Sequence, residues 1–162
     1  MTRRCHRAFA APILMFAATA ACSQSPSAVP DEAFFQRAAT CAAAMEIDQQ
    51  ILVARARGGT PGLRPELVQL TQLGFAYVGS AYLRGLRNPR GDAMLAAARV
   101  EEHTRAAADH VKLVATCRTE AAVLLYEATS LEQWLVNNRA EARVDRYLAA
   151  SRPATPESAA SR

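Results

Sequence analysis

The residues of this chain that could carry chemistry are few and scattered. Downstream of an apolar N-terminal run there are two histidines, His103 and His110. Seven positions apart, they share one side of a helix at a separation of about 10 Å, too far for both to ligate one metal ion. The chain contains no His-Glu-x-x-His, no Glu-x-x-His and no Cys-x-x-Cys-His. Zinc-protease, di-iron and c-type haem chemistry therefore lack the ligand spacing they need, and no metal site is expected. Neither a Gly-x-Ser-x-Gly elbow nor a Gly-rich phosphate loop is present, so no nucleophile or phosphate cradle stands out.

Asp48 is the more informative titratable residue. Phe34, Ala38, Cys41, Met45, Leu52 and Ala56 recur at helical spacing, and Asp48 falls inside the face they define. A carboxylate left alone there costs several kcal/mol, so it must meet a cation or hydrogen-bond donors. Arg55, seven residues on, has the same direction; Arg99 or a histidine on another helix is the alternative. Asp48, Arg55, His103 and His110 are thus the expected buried polar site, with structural pairing as its role and no catalytic residue assigned. Met45 with His110, on separate helices, is an arrangement that would bind b-type haem, which keeps a small-molecule or haem carrier open as a second reading. The sequence itself calls for no cofactor.

The N-terminus reads as an export signal. Arg3, Arg4 and Arg7 precede an apolar run, Ala8 to Ala21, of h-region length and too short to span a bilayer. The run ends Thr19-Ala20-Ala21-Cys22, followed by Ser23-Gln24-Ser25-Pro26-Ser27. These residues resemble the signal of bacterial lipoproteins, in which small residues precede a cysteine that becomes acylated and the new N-terminus. The resemblance implies lipid on Cys22, attachment to a membrane through that lipid and, from Ser23, sorting to the periplasmic face of the outer membrane. Thr19 departs from the aliphatic residue usual at that position. Ala18-Thr19-Ala20 also satisfies the small-x-small rule, so cleavage without acylation, leaving a periplasmic or secreted protein, is the alternative. Either route removes three arginines and no acid, leaving 16 basic against 15 acidic residues. With the two signs interspersed there is no electrostatic footprint for nucleic acid.

The elements that position these residues are read as helices, because Ala, Leu, Arg and Glu dominate and β-branched residues are sparse. A signal at 1–21 and a Ser/Pro-rich tether at 22–30 lead into one helical domain at 31–150, and a disordered tail is expected at 151–162. The first helix runs from Asp31 to Arg57 and stops at Gly58-Gly59-Thr60-Pro61-Gly62. The second runs from Pro65 to Arg87, with Gly74 and Gly85 reading as points of close helix crossing. From Asp92 to Ala150 no Gly or Pro interrupts. The apolar phase nevertheless shifts by about 100° between Ala107 and Leu113, which predicts a turn near Asp109, with helices at 92–108 and 110–136. Leu113, Cys117, Ala121, Leu124, Ala128, Leu131 and Leu135 form the stripe of the latter. A second shift at Asn137-Asn138 predicts a short terminal helix. No internal repeat is present.

The turn decides whether Cys41 and Cys117 can meet. At ~1.5 Å per residue, a straight helix through residue 117 carries Cys117 about 28 Å above Cys41. That is far beyond the ~7 Å limit between the Cα atoms of a disulfide. A turn near Asp109 brings it back to about 5 Å. With Cys5 removed and Cys22 acylated, these two remain as a pair, and in an oxidising compartment they should be bonded. The sequence therefore predicts an all-α chain, an antiparallel four-helix bundle with a short extra C-terminal helix. It is expected to be exported and to act in the cell envelope through an envelope protein partner or a structural role rather than catalysis.

Overall fold

A computed structural model describes residues 29–150; the expected signal, most of the expected tether with Cys22, and the expected tail at 151–162 lie outside the described residues. The described chain is all helical, with five helices: α1 (Val29–Arg57), α2 (Arg64–Leu83), α3 (Arg90–Thr104), α4 (Ala107–Glu127) and α5 (Ser130–Ala149).

Local chemistry explains most of these boundaries. Asp31 and Glu32 sit in the first turn of α1 and complement its N-terminal partial charge. Pro65 opens α2, where its missing N–H costs nothing. Gly59 (φ 90°) and Gly62 (φ 76°) turn the chain between α1 and α2 in backbone conformations that other residues resist. Helix α2 stops at Leu83, short of the expected Arg87, because Gly85 takes φ 100° and ends it. Gly85 is thus a terminator rather than a crossing point, whereas Gly74 does face α1, where an added methyl group would meet Gln49 Nε2 at 3.7 Å.

The two interruptions of the long Gly- and Pro-free stretch are both made by extended residues. Arg105 (ψ 138°) and Ala106 (ψ 140°) separate α3 from α4. The turn comes three residues before Asp109, which lies in the first turn of α4 and does not cap it. Ala128 (ψ 147°) ends α4, and Thr129 caps α5 through a reciprocal capping box with Glu132. The expected helix to residue 136 is therefore two helices. The Leu113 stripe ends within α4, and Leu131 and Leu135 belong to α5, where they are 65% and 40% exposed. Helix α5 has 20 residues, as long as α2, rather than being a short appendage.

Helices α1 and α2 are central: α1 packs on α2, α3 and α4, and α2 also packs on α4 and α5. Fully buried Cys41, Met45, Leu67, Leu70, Tyr77, Cys117 and Val144 make the core between them. Ala39, Ala43 and Ala98 let α3 lie close on α1. Cross-helix partners give the directions. Arg37 meets Glu120, Cys41 meets Cys117 and Asp48 meets His110, so α1 and α4 run antiparallel. Arg64–Asp145 and Gln72–Asn137 make α2 and α5 antiparallel, while Glu32–Arg90 and Glu46–Arg99 make α1 and α3 run the same way. The starts of α1, α3 and α5 and the ends of α2 and α4 consequently share one end of the molecule. The predicted disulfide is present, with Cys41 and Cys117 Cα atoms 5.5 Å apart and both residues wholly buried.

Candidate functional site

Asp48 and His110, two of the residues singled out by sequence, are brought together. Helix α1 carries Asp48 seven residues beyond Cys41, and α4 carries His110 seven residues before Cys117, so the disulfide and this pair share one antiparallel register. His110 Nε2 lies 2.9 Å from Asp48 Oδ1, and His110 Nδ1 lies 2.9 Å from Glu102 Oε1 at the end of α3. The Glu102 side chain is fully buried, and Arg105 Nε donates to both of its oxygens at 2.9 and 3.0 Å. Arg118 approaches the other Asp48 oxygen more loosely, at 3.6 Å. Arg99 instead holds Glu46, and Arg55 and His103 are exposed and stand outside this cluster.

Burial alone would lower the His110 pKa, but its hydrogen bonds to Asp48 and Glu102 outweigh that effect and raise it. The protonated ring then donates from both nitrogens, tying α3, α4 and α1 at one point. This geometry limits the chemistry. Both imidazole nitrogens are engaged by carboxylates on opposite sides of the ring, so neither faces Met45, which is wholly buried in the core. The Met45–His110 haem arrangement is not assembled. Among the described residues no group of three or more His, Cys, Asp or Glu side chains could hold a metal ion.

A second polar knot lies on the other side of the disulfide. Arg37 Nε and a terminal guanidinium nitrogen donate to the two Glu120 oxygens at 2.9 and 2.8 Å, and the buried Tyr77 hydroxyl meets Glu120 Oε2 at 2.8 Å and the Cys117 carbonyl at 3.2 Å. The Arg37 hydrogen bond, set against desolvation, holds the Glu120 pKa below its ordinary value. Burial, reinforced by Glu120, pushes Tyr77 up. Glu102, Arg105, Arg37 and Glu120 were not among the expected site residues. Only a register linking α1 to α4 would have exposed the Arg37–Glu120 pair.

An open groove lies elsewhere. With a volume of about 770 Å³, it opens between the second half of α2, the end of α4 and the first half of α5, lined by Phe75, Gly79, Leu83, Leu124, Leu135 and Val136 together with the charged Arg84, Glu127 and Arg139. It is a surface feature and not the bundle interior. Its lining is mainly apolar, with Ser80, Glu127 and Glu132 among the polar residues, a composition that suits binding. No protein-family model, curated protein or solved structure matches the chain.

Proposed function

We propose that this chain is an exported cell-envelope protein, anchored by lipid on Cys22, and that it acts by non-covalent binding or as a structural element rather than as an enzyme. Its architecture in this reading is an antiparallel four-helix bundle, α1 to α4, extended by α5 along α2. The observation that carries the reading is the buried Cys41–Cys117 disulfide, which closes the bundle between α1 and α4. Such a bond belongs to an oxidising compartment, in agreement with the signal-like N-terminus. A binding role is further supported by the His110 cluster, in which both imidazole nitrogens and the Glu102 carboxylate are taken up by pairing within the fold.

The test is mass spectrometry of the mature N-terminus after expression in a bacterium that processes lipoproteins. A diacylated or triacylated Cys22, with no free thiols in the denatured unreduced chain, is the expected result. An unmodified terminus at Ala21 or Cys22 refutes the anchor, and two free thiols refute the oxidising location. A carrier of apolar small molecules is the second reading, favoured by the 770 Å³ groove, whose volume falls in the usual range for such sites. Solvent extraction of purified protein would then release a stoichiometric copurifying compound.

A further inference from the structure

The exposed apolar side chains are unevenly distributed over the molecule. Among the described residues every large exposed aromatic, Tyr82, Tyr126 and Trp134, lies at the end of the molecule where α2 and α4 finish and α5 begins, together with Leu83, Leu131 and Leu135. Tyr126 is 87% exposed and Leu83 69%. Of the described residues, the large exposed apolar side chains in the opposite half are the scattered Ile51, Val100 and Val111. The aromatic end is also where α1 starts: the Arg84 guanidinium at the end of α2 stacks 3.9 Å from the Phe34 ring centroid, and Arg90 pairs with Glu32.

We infer that this end of the bundle is a membrane-docking surface, seating Tyr82, Tyr126 and Trp134 among the headgroups of the bilayer that holds the lipid on Cys22. The inference rests on the proposed acylation of Cys22 and deepens it. Only Ser23 to Ala28 separate that cysteine from Val29. Even fully extended, this linker keeps the start of α1 within about 25 Å of the lipid surface. The end of the molecule nearest the anchor is therefore the end bearing the aromatic set. No described helix is long and apolar enough to cross a membrane. Tyrosine and tryptophan, each with an apolar ring and a polar edge, are instead the side chains that prefer the membrane–water boundary. Arg87, stacked 4.0 Å from the Tyr82 ring centroid, and Arg84 at the end of α2 supply cations at headgroup level. Docking would cover the mouth of the groove, which on this inference opens towards lipid.

Trp134 is the only tryptophan in the chain and reports on this surface directly. The full-length protein, processed in a bacterial host, is reconstituted into vesicles of phosphatidylethanolamine and phosphatidylglycerol, with ordinary or dibrominated acyl chains, and its Cys22 modification is read by mass spectrometry on the same sample. Docking predicts a blue-shifted Trp134 emission, most of which is lost in brominated vesicles. It also predicts that in the exposed-site variant Leu83→Asp/Leu131→Asp, checked for native helicity and an intact disulfide, the blue shift disappears and brominated chains no longer quench Trp134. Acylated protein with unquenched, acrylamide-accessible Trp134 overturns the docking and leaves the anchor standing. Unquenched Trp134 shielded from acrylamide, with dimers in cross-linking, assigns the face to a second copy and equally overturns it. Protein lacking the lipid overturns the anchor; flotation with quenched Trp134 in that sample still supports the docking, and absence of both removes it.

Discussion

Replacing Cys41 and Cys117 together by alanine tests the central claim about how this bundle is closed. The two residues are 76 apart in sequence, and a loop of that length corresponds to about 4.5 kcal/mol of lost unfolded-chain entropy at 25 °C. Residual structure in the unfolded chain reduces that figure, whereas removing two wholly buried sulfur atoms adds a packing loss of about 1 kcal/mol. The expected destabilisation is about 3–5 kcal/mol, a large share of the 5–15 kcal/mol typical of a domain. Urea unfolding followed by far-ultraviolet circular dichroism measures it. Reduced wild type, which keeps both sulfurs, isolates the loop contribution. Because the cross-link limits how far the unfolded chain expands, the slope of stability against urea should also steepen once it is removed. A loss below about 1 kcal/mol together with an unchanged slope would refute the reasoning, since a bridge joining α1 to α4 must constrain the unfolded chain.

Other outcomes follow from the polar contacts. His110 has a raised pKa in the fold, so its contribution is complete below the ordinary imidazole value of 6.5 and is lost as pH rises through the higher folded value; wild type should lose stability over that window, and His110→Gln should flatten the difference in melting curves recorded from pH 5 to 9. Asp48→Asn should cost about 1–2 kcal/mol in urea titrations because the His110 ring loses its anionic partner, while Arg55→Ala should leave stability within experimental error. Thr129→Ala should cost about 1 kcal/mol through loss of the α5 cap, with amide exchange speeding up first in the opening turn of α5. For the depressed Glu120 the sign is opposite to that of His110: its stabilisation is present above the ordinary carboxylate range and fades on acidification, so Glu120→Gln should shrink the acid limb of the pH–stability curve.

Helix content and the disulfide were legible because both rest on periodicity and covalent geometry, which act over short distances. The shift of apolar phase between Ala107 and Leu113 placed the α3–α4 turn to within a few residues. Asp109 is the nearest residue able to cap a helix, but the structure turns on Arg105 and Ala106 with no side-chain cap. The α4–α5 break was missed for a different reason. Leu131 and Leu135 continue the angular phase of Leu124, so periodicity alone cannot see a junction that preserves phase. The signal that would have found it is Thr129-Ser130-Leu131-Glu132, a capping box read straight from sequence. At the polar cluster, the placement of Asp48 on an apolar face and the possibility of a histidine partner were readable. Glu102 was not, because its burial depends on where α3 ends and on Arg105 folding back over it.

The placement of the cross-link has a mechanical consequence. A pull applied between the two ends of the domain enters at Val29 and leaves at Ala149, with the covalent bridge joining Cys41 to Cys117 along the way. Tension therefore bypasses all of α2 and α3, and only the opening turns of α1, the last part of α4 and the whole of α5 bear load. Helix α5, held to α2 by contacts such as Arg64–Asp145 and Gln72–Asn137 rather than by a covalent bond, would peel first. Stretching would then stop at the sulfur bridge. In a single-molecule trace the chain should yield a short extension when oxidised and a much longer one after reduction, so that under load the oxidised domain gives way at α5 while its core stays folded.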